Sequence, residues 1–592
     1  MQRAAALWTR KASLQQGRLG LQQVQSSLLR GRRGMQSLST VPVDSGDLAD
    51  GKVPPDSVSE LSPKEIEEAL DIDTFKPLGK LPDFTKVELA FKEKSFGELI
   101  RSYVVLRVCG IQTIVANAET LLGLSRQILG DRITAFFIKH TFFAQFCAAE
   151  NHEGLLPKIQ SLESLGVSGI LDYAAEADLD TTVREDHESE AVARIYDYEG
   201  EKKCDAMAMV FEECIRTAHS VAQHNASGNH PFAAIKVTAL GNPQLLRRMS
   251  EMIKETRRLF SRMEAQLDRP ACGSFTLPEW RQAFNEYFDT TLDPKSVDEV
   301  FWLGIGCTEE EYPRDDEPRL DFVDWCRAGN IEVISRLVGS CRTHGPLFKS
   351  TLTREELELS EALFARLDRI CEFAEVHGVR LMIDAEQTYF QPCIDANVLR
   401  LQRKFNSKGR PTIFGTYQSY LKNSTQRLKE DLERSKREGW TFAAKLVRGA
   451  YMVSERALAE EEGRPSPIHD TLEATHAAYN NNVDILLRDA TAEVLVATHN
   501  QESCEIAAKR MKEYKIEPAS GKVYFAQLLG MSDNITFTLG ICGYNSFKYL
   551  PYGSIYEVLP YLIRRAQENS SLMAEATHEL DVLTSEMKRR IF

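Results

Sequence analysis

Eight short runs rich in apolar and β-branched residues, each followed by a stretch with helical spacing, constrain this chain more than any other feature. They cover 166–173, 232–240, 379–385, 412–420, 441–451, 494–500, 522–529 and 546–552. Runs such as AAIKVTAL at 233–240 and VLVAT at 494–498 are nearly continuous in apolar residues, as strands covered on both faces require. Eight such strands alternating with helices predict an α/β fold, a closed (β/α)8 TIM-like barrel.

Barrels of this kind carry their chemistry at the C-terminal strand ends, and polar residues gather there in seven of the eight runs. Lys236 sits within the second run and Asp384 near the end of the third. Gln418 belongs to the fourth, and Lys445 and Arg448 to the fifth. Thr498, His499 and Asn500 end the sixth, Gln527 lies in the seventh, and Tyr549 closes the eighth. One strand lysine or glutamine is ordinarily a satisfied core group, but seven strands ending this way point to a large polar ligand. No Gly-x-Gly-x-x-Gly follows a strand and no Gly-x-x-x-x-Gly-Lys-Ser/Thr is present, so a dinucleotide would not be held by a Rossmann turn or a P-loop.

The eighth run leads into a second cluster. If the residues after Gly553 or Pro560 are helical, Leu559, Leu562, Ile563 and Ala566 share one face while Tyr561, Arg564, Arg565 and Glu568 share another. Alone, an adjacent arginine pair reads as a solvated surface. After the last strand of a barrel, it offers two rigid donor forks to a small carboxylate.

Composition narrows the classes. Among 592 residues, 86 acidic side chains outnumber 72 basic ones for a formal charge of −14, which argues against general nucleic-acid binding. No apolar run approaches the roughly 18 residues of a membrane-spanning helix. The 12 cysteines show neither Cys-x-x-Cys pairs nor zinc spacing and are most simply reduced, buried groups. The first 40 residues hold seven Arg or Lys and no acidic residue, which predicts a mitochondrial transit peptide over 1–37, followed by a linker over 38–60. Residues 61–165 read as a helical arm, whose segment 103–118 is expected to be buried against the main domain rather than laid on a membrane. The barrel unit then spans 166–592.

The gap between the second and third runs is too long for one crossover helix. An insert over 256–330 resembles an EF-hand pair, with Asp268 at the first loop position, Gly273 at the sixth, Phe275 at the eighth and Glu279 at the twelfth. Positions three and five are Pro270 and Cys272, and a second copy ending at 319–325 would begin at Pro313. The expectation is therefore a degenerate, metal-free helical insert, with Asp268 and Glu279 as weak metal candidates.

Together, Asp384 in LMIDAEQTY, the run KLVRGAY at 445–451, ATHN at 497–500, and Tyr549 with Arg564, Arg565 and Glu568 closely resemble the proline dehydrogenases, in particular their mitochondrial animal members. The resemblance implies a distorted barrel holding FAD, oxidation of L-proline to 1-pyrroline-5-carboxylate, and electron delivery to ubiquinone from the matrix face of the inner membrane. It assigns Lys236, Asp384, Tyr549, Arg564 and Arg565 to catalysis at the substrate site, with Tyr451, Leu529 and Tyr561 as walls. It assigns Gln418, Lys445, Val447, Arg448, Gly449, Ala450, Thr498, His499 and Gln527 to the flavin. Lys445 stands where bacterial members carry arginine, so a cation is kept and the fork is lost. The competing readings are a hydroxyproline dehydrogenase, against which Tyr549 is a bulky wall, a calcium-responsive scaffold, and a cofactor-free barrel lyase.

Overall fold

The computed structural model describes residues 81–174, 198–222, 231–267, 273–287, 293–328 and 349–591, apart from single positions 86, 93, 314 and 572. The basic leader expected over 1–37, the linker over 38–60 and Asp268 of the insert lie outside the described residues.

Eight strands form the barrel: β1 (Val167–Tyr173), β2 (Phe232–Ile235), β3 (Arg380–Ile383), β4 (Ile413–Gln418), β5 (Ala443–Val447), β6 (Glu493–Ala497), β7 (Val523–Leu528) and β8 (Ser546–Tyr552). Every neighbouring pair is parallel, and the ladder closes where Val167 of β1 stands opposite Ser546 of β8. The expected (β/α)8 barrel is the observed fold. Most strands are shorter than their sequence runs. Lys236 falls one residue beyond β2, where Val237–Ala239 wind into a 3-10 turn, and Asp384 and Arg448 lie just past β3 and β5. Ladder pairing stops there because the chain turns outward into the βα loops.

Alternation along the strands divides the core in two. Phe232, Met382, Phe414, Leu495, Tyr524 and Phe547 point inward and pack together, while Val494, Val496, Phe525, Ala444 and Leu446 point outward beneath the helices. The N-terminal end of the lumen is plugged by Arg380. Its guanidinium pairs with Glu493, donates to Tyr524 Oη at 2.5 Å and to the Pro411 carbonyl at 2.9 Å, and lies 4.7 Å from the Phe414 ring centre. Chemistry is thereby confined to the opposite end.

The long β2–β3 connection opens with the helix Pro243–Gln266, started by Asn242, whose side chain accepts the Gln244 N–H. Beyond it, Ser274–Thr276 pairs antiparallel with Arg319–Asp321, and the helices Leu277–Tyr287, Pro294–Ile305 and Phe322–Ala328 flank the pair. Phe260, Phe275, Trp280 and Trp325 form its aromatic centre. Its carboxylates have protein donors: Glu279 accepts the Thr276 N–H at 2.9 Å, and Arg437 of the barrel helix Ser424–Glu438 bridges Asp321 at 2.8 Å and Asp324 at 3.2 Å. The chain returns to β3 through the helix Arg354–His377, which a Thr353–Glu356 capping box starts and Gly378 ends in the left-handed region.

The described part of the arm is mostly helical, with helices that include Phe96–Cys109, Gln112–Ala116, Ala118–Leu129, Asp131–Ile138 and His152–Glu163, and Ala149 makes an isolated parallel bridge to Tyr552 of β8. Within 103–118 the outcome is divided. Val105, Leu106, Cys109 and Val115 are buried, while Val104, Ile111 and Ile114 are exposed. The face continues outward through Leu121, Leu124, Ile128, Ile133, Phe136 and Phe137. Among the described residues no helix is long and apolar enough to cross a membrane. The closing helix Met573–Ile591 packs against Phe96–Cys109, and its Arg590 donates to the backbone carbonyls of Lys94 and Phe91, each at 2.6 Å.

Candidate active site

Strand parity decides which side chains face the lumen. Counting in steps of two from the inward Met382, Ala443 and Phe547 brings Asp384, Lys445 and Tyr549 to the mouth. There they meet. Lys445 Nζ pairs with one Asp384 oxygen, Tyr549 Oη donates to the other at 2.9 Å, and the ammonium sits 5.5 Å from the Tyr549 ring centre. Burial, reinforced by the negative charges of Asp172 and Asp384, pushes the Tyr549 phenol well up, so it remains a donor. β1 showed no polar residue in the sequence reading, yet Asp172 lies two residues beyond the inward Ile170 and its charge is felt at Tyr549 and Tyr561.

Glu386 is a second residue that sequence reasoning missed. It accepts the Thr238 N–H at 3.2 Å and the Thr238 hydroxyl at 2.5 Å, fixing the turn that follows Lys236. Burial pushes its carboxyl up, while the Thr238 hydrogen bonds and the charge of Lys236 pull it down. Gln418 Nε2 donates to the Glu386 carbonyl at 2.8 Å, so the ends of β2, β3 and β4 are tied together.

The opposite parity places Arg448, Thr498 and Gln527 behind the strands. Arg448 donates to His476 Nδ1 at 2.9 Å, Thr498 Oγ1 at 2.5 Å and Ser503 Oγ at 2.9 Å, with its guanidinium 4.4 Å from the Tyr479 ring centre. Gln527 donates to the Thr498 carbonyl at 3.0 Å and accepts from Thr536 at 2.8 Å. Val447 ends β5, and Gly449 beyond it has φ +136, with the Tyr420 ring 2.4 Å from where a Cβ would stand. Only glycine fits that bend, and Ala450 after it is exposed. His499 is pushed down to about 3 by burial and by the charges of Lys548, Arg565 and Arg448, so it is a neutral imidazole.

The helix Leu559–Ser571 closes this end. Leu562 and Ala566 are buried as its apolar stripe requires, but Tyr561 and Arg565 are buried too, because the helix packs against Gln112–Ala116, Phe96–Cys109 and Met573–Ile591. Arg565 pairs with Glu568 at 2.5 Å and lies 4.9 Å from the Tyr561 ring centre. Arg564 reaches Tyr451 Oη at 3.5 Å. Leu529, just past β7, is buried in the same core cluster as Tyr561. Arg565 Nε and Tyr561 Oη are buried without a hydrogen-bond partner among the described residues. Such donors can be met by a ligand's acceptors, here as at other buried polar atoms of the chain.

Fold and mouth together define a (β/α)8 barrel of the enzyme kind, with its charged and aromatic groups gathered at the C-terminal end of the strands. The chain belongs to the proline dehydrogenase family, whose model, described as "Proline dehydrogenase", matches residues 155–578. It is similar to Proline dehydrogenase 1, mitochondrial, of Homo sapiens, at 38% identity over 86% of this chain and 90% of that protein. It is similar also to Hydroxyproline dehydrogenase of Bos taurus, at 30% identity over 85% of this chain and 92% of the relative. Among solved structures, proline utilization A (PutA) from Bdellovibrio bacteriovorus matches 82% of this chain and 38% of its own, at 16% identity and a TM-score of 0.49.

Proposed function

We propose that this chain oxidises L-proline to 1-pyrroline-5-carboxylate with FAD as its bound oxidant and passes the electrons to ubiquinone, working in the mitochondrial matrix at the inner-membrane surface. The observation that carries the reading is the pair of buried, unsatisfied donors, Arg565 Nε and Tyr561 Oη, on the helix that caps the Asp384–Lys445–Tyr549 mouth. Family membership and the name of the human relative support the same substrate.

The residues fit a flavin. Arg448, Thr498, His499, Gln418 and Gln527 supply cationic and neutral polar groups at and just behind the C-terminal strand ends, and Gly449 lets the chain after β5 bend against the Tyr420 ring. In this reading Gln418, Lys445, Val447, Arg448, Gly449, Ala450, Thr498, His499 and Gln527 hold the cofactor. Bound there, a flavin supplies the acceptor for the hydride that leaves the ring carbon next to the proline nitrogen.

The protein's own part is positioning. Arg564 and Arg565 take the proline carboxylate, and Glu568 orients the second guanidinium. Tyr451, Leu529, Tyr549 and Tyr561 wall the ring and exclude water from the reacting carbon. Asp384 holds the Tyr549 phenol in place, while Lys445 adds positive charge where negative charge develops on reduction. In the same reading Lys236, one residue past β2, adds a cation at the substrate side. Proline reacts as the neutral amine, whose lone pair closes the C=N bond as the hydride leaves.

Tyr549, tethered to Asp384, crowds the place of a ring hydroxyl, which favours proline over 4-hydroxyproline. The exposed apolar face of the arm supports the membrane assignment. Its cations Arg126 and Lys139 pair with Asp131 and Glu150, so apolar contact is its main offer to a membrane, and Gln112–Ala116 packs on the helix that bears the arginine pair. The test is turnover of a ubiquinone analogue with each amino acid: proline is expected to support it, and equal rates with trans-4-hydroxyproline would sink the assignment.

A further inference from the structure

The turn after β7 carries Leu529 and backs the cofactor side of the mouth, and side chains from remote segments pin it. Gln145 of the arm donates to the Gly530 carbonyl at 2.7 Å. Lys548 points away from the lumen, back to back with Tyr549, and donates to the Met531 carbonyl at 2.6 Å and to Asp533 at 2.7 Å. Lys94 pairs with the same aspartate.

Ser532 lies at the centre of this clamp, with φ 50 and ψ 45. Among the described residues it is one of two non-glycine positions with positive φ, and the other, Lys515, lies at the end of a surface helix. A buried serine in the left-handed region has to be held there. Its N–H is held by Glu579 Oε1 at 2.8 Å, a carboxylate of the closing helix Met573–Ile591. Its hydroxyl shares a hydrogen bond of 3.1 Å with His499 Nδ1. Asp533 takes the two nearby ammonium groups, which leaves Glu579 for the backbone of Ser532. The same helix secures Lys94 as well, through Arg590 on the Lys94 and Phe91 carbonyls. The family match ends at residue 578, one position before Glu579, and starts well after Lys94.

We propose that Glu579 is a positioning residue for the flavin site: it holds Ser532 in the conformation that orients His499, which makes the closing helix a working part of the cofactor site. The proposal rests on the reading of His499 as a flavin contact. It gives the neutral imidazole a fixed hydrogen-bond partner on Nδ1, which holds the ring plane and so the direction in which Nε2 meets the cofactor.

The test compares full-length wild type with Glu579→Ala, Glu579→Gln, Ser532→Ala and Val582→Ala. For each, the FAD dissociation constant, the visible spectrum of the bound flavin and the melting temperature are measured. Glu579→Ala is expected to weaken FAD binding roughly tenfold, the loss that follows when a buried donor is left unpartnered, and to shift the flavin spectrum. Glu579→Gln keeps an acceptor for the Ser532 N–H and is expected to match wild type in FAD affinity and flavin spectrum. Val582 is a buried apolar residue of the same helix, so its truncation is expected to lower the melting temperature and leave FAD affinity unchanged. Ser532→Ala cuts the link to His499 while keeping the N–H, and reproduces the weakened binding even if Glu579→Ala does not fold. Wild-type FAD affinity in either alanine variant overturns the proposal, as does equal weakening in Val582→Ala. A wild type that binds no FAD refutes the flavin reading itself, a distinct result.

Discussion

Tyr549 Oη donates to Asp384 Oδ2 at 2.9 Å across the barrel mouth, and Lys445 takes the other oxygen of the same carboxylate. One aspartate just past β3 thus fixes an aromatic ring from β8 and a cation from β5. The phenol cannot swing away without breaking a buried, charge-assisted bond.

In the proposed function this tethered ring is the wall that selects proline. Tyr549→Ser should raise the ratio of hydroxyproline to proline turnover, because it empties the space a ring hydroxyl needs. It should also lower proline kcat/KM by roughly tenfold, about the 1–1.5 kcal/mol of a lost buried contact. Steady-state kinetics on both substrates check this, and an unchanged ratio removes Tyr549 from the wall.

Arg565→Met should raise the proline KM by well over tenfold while the flavin stays bound. A buried fork lost from a carboxylate costs about 2–5 kcal/mol. Near-normal proline kinetics in a flavin-replete variant would take the arginines out of the substrate site.

At the far end of the lumen the prediction concerns stability. Arg380→Met leaves the largely buried Glu493 without its cation and should cost about 3–5 kcal/mol, read as a lower urea midpoint. The double variant Arg380→Met, Glu493→Leu should recover most of that loss, since no charge is then stranded. A double variant as unstable as the single one would show that the packing of the plug, not its charge, matters.

The clamp beneath His499 carries a pH signature. Burial, then the charge of Asp533, pushes the Glu579 carboxyl up to about 7, against the pull of Lys548 and Lys94. The folded protein therefore holds this proton more tightly than the unfolded chain, whose value is 4.5. The resulting stability is complete below that value and is lost as pH rises through about 7. Glu579→Gln should gain on wild type in urea melts between pH 5 and 8, and parallel curves would contradict the assignment.

Much of the barrel is legible in the sequence because buried parallel strands are written as unbroken apolar runs, and β8 is bounded by the same residues in both readings. Strand parity is less visible for the same reason: an apolar run does not show which face Lys445 or Lys548 takes until a ladder sets the register. Asp172 is hidden inside GILDY, and Glu386 inside a motif already explained by Asp384. Glu579 is silent, since a carboxylate on a backbone N–H 47 residues away leaves no local pattern. The second face of Leu559–Ser571 looked solvated because nothing in its own sequence announces the arm helix that covers it.

The most direct measurement is an anaerobic absorbance titration of the purified full-length chain with L-proline. The account predicts the bands of an oxidised flavin in the resting protein and their bleaching as proline is added. A protein without flavin absorbance, or with a flavin that proline leaves oxidised, would contradict it.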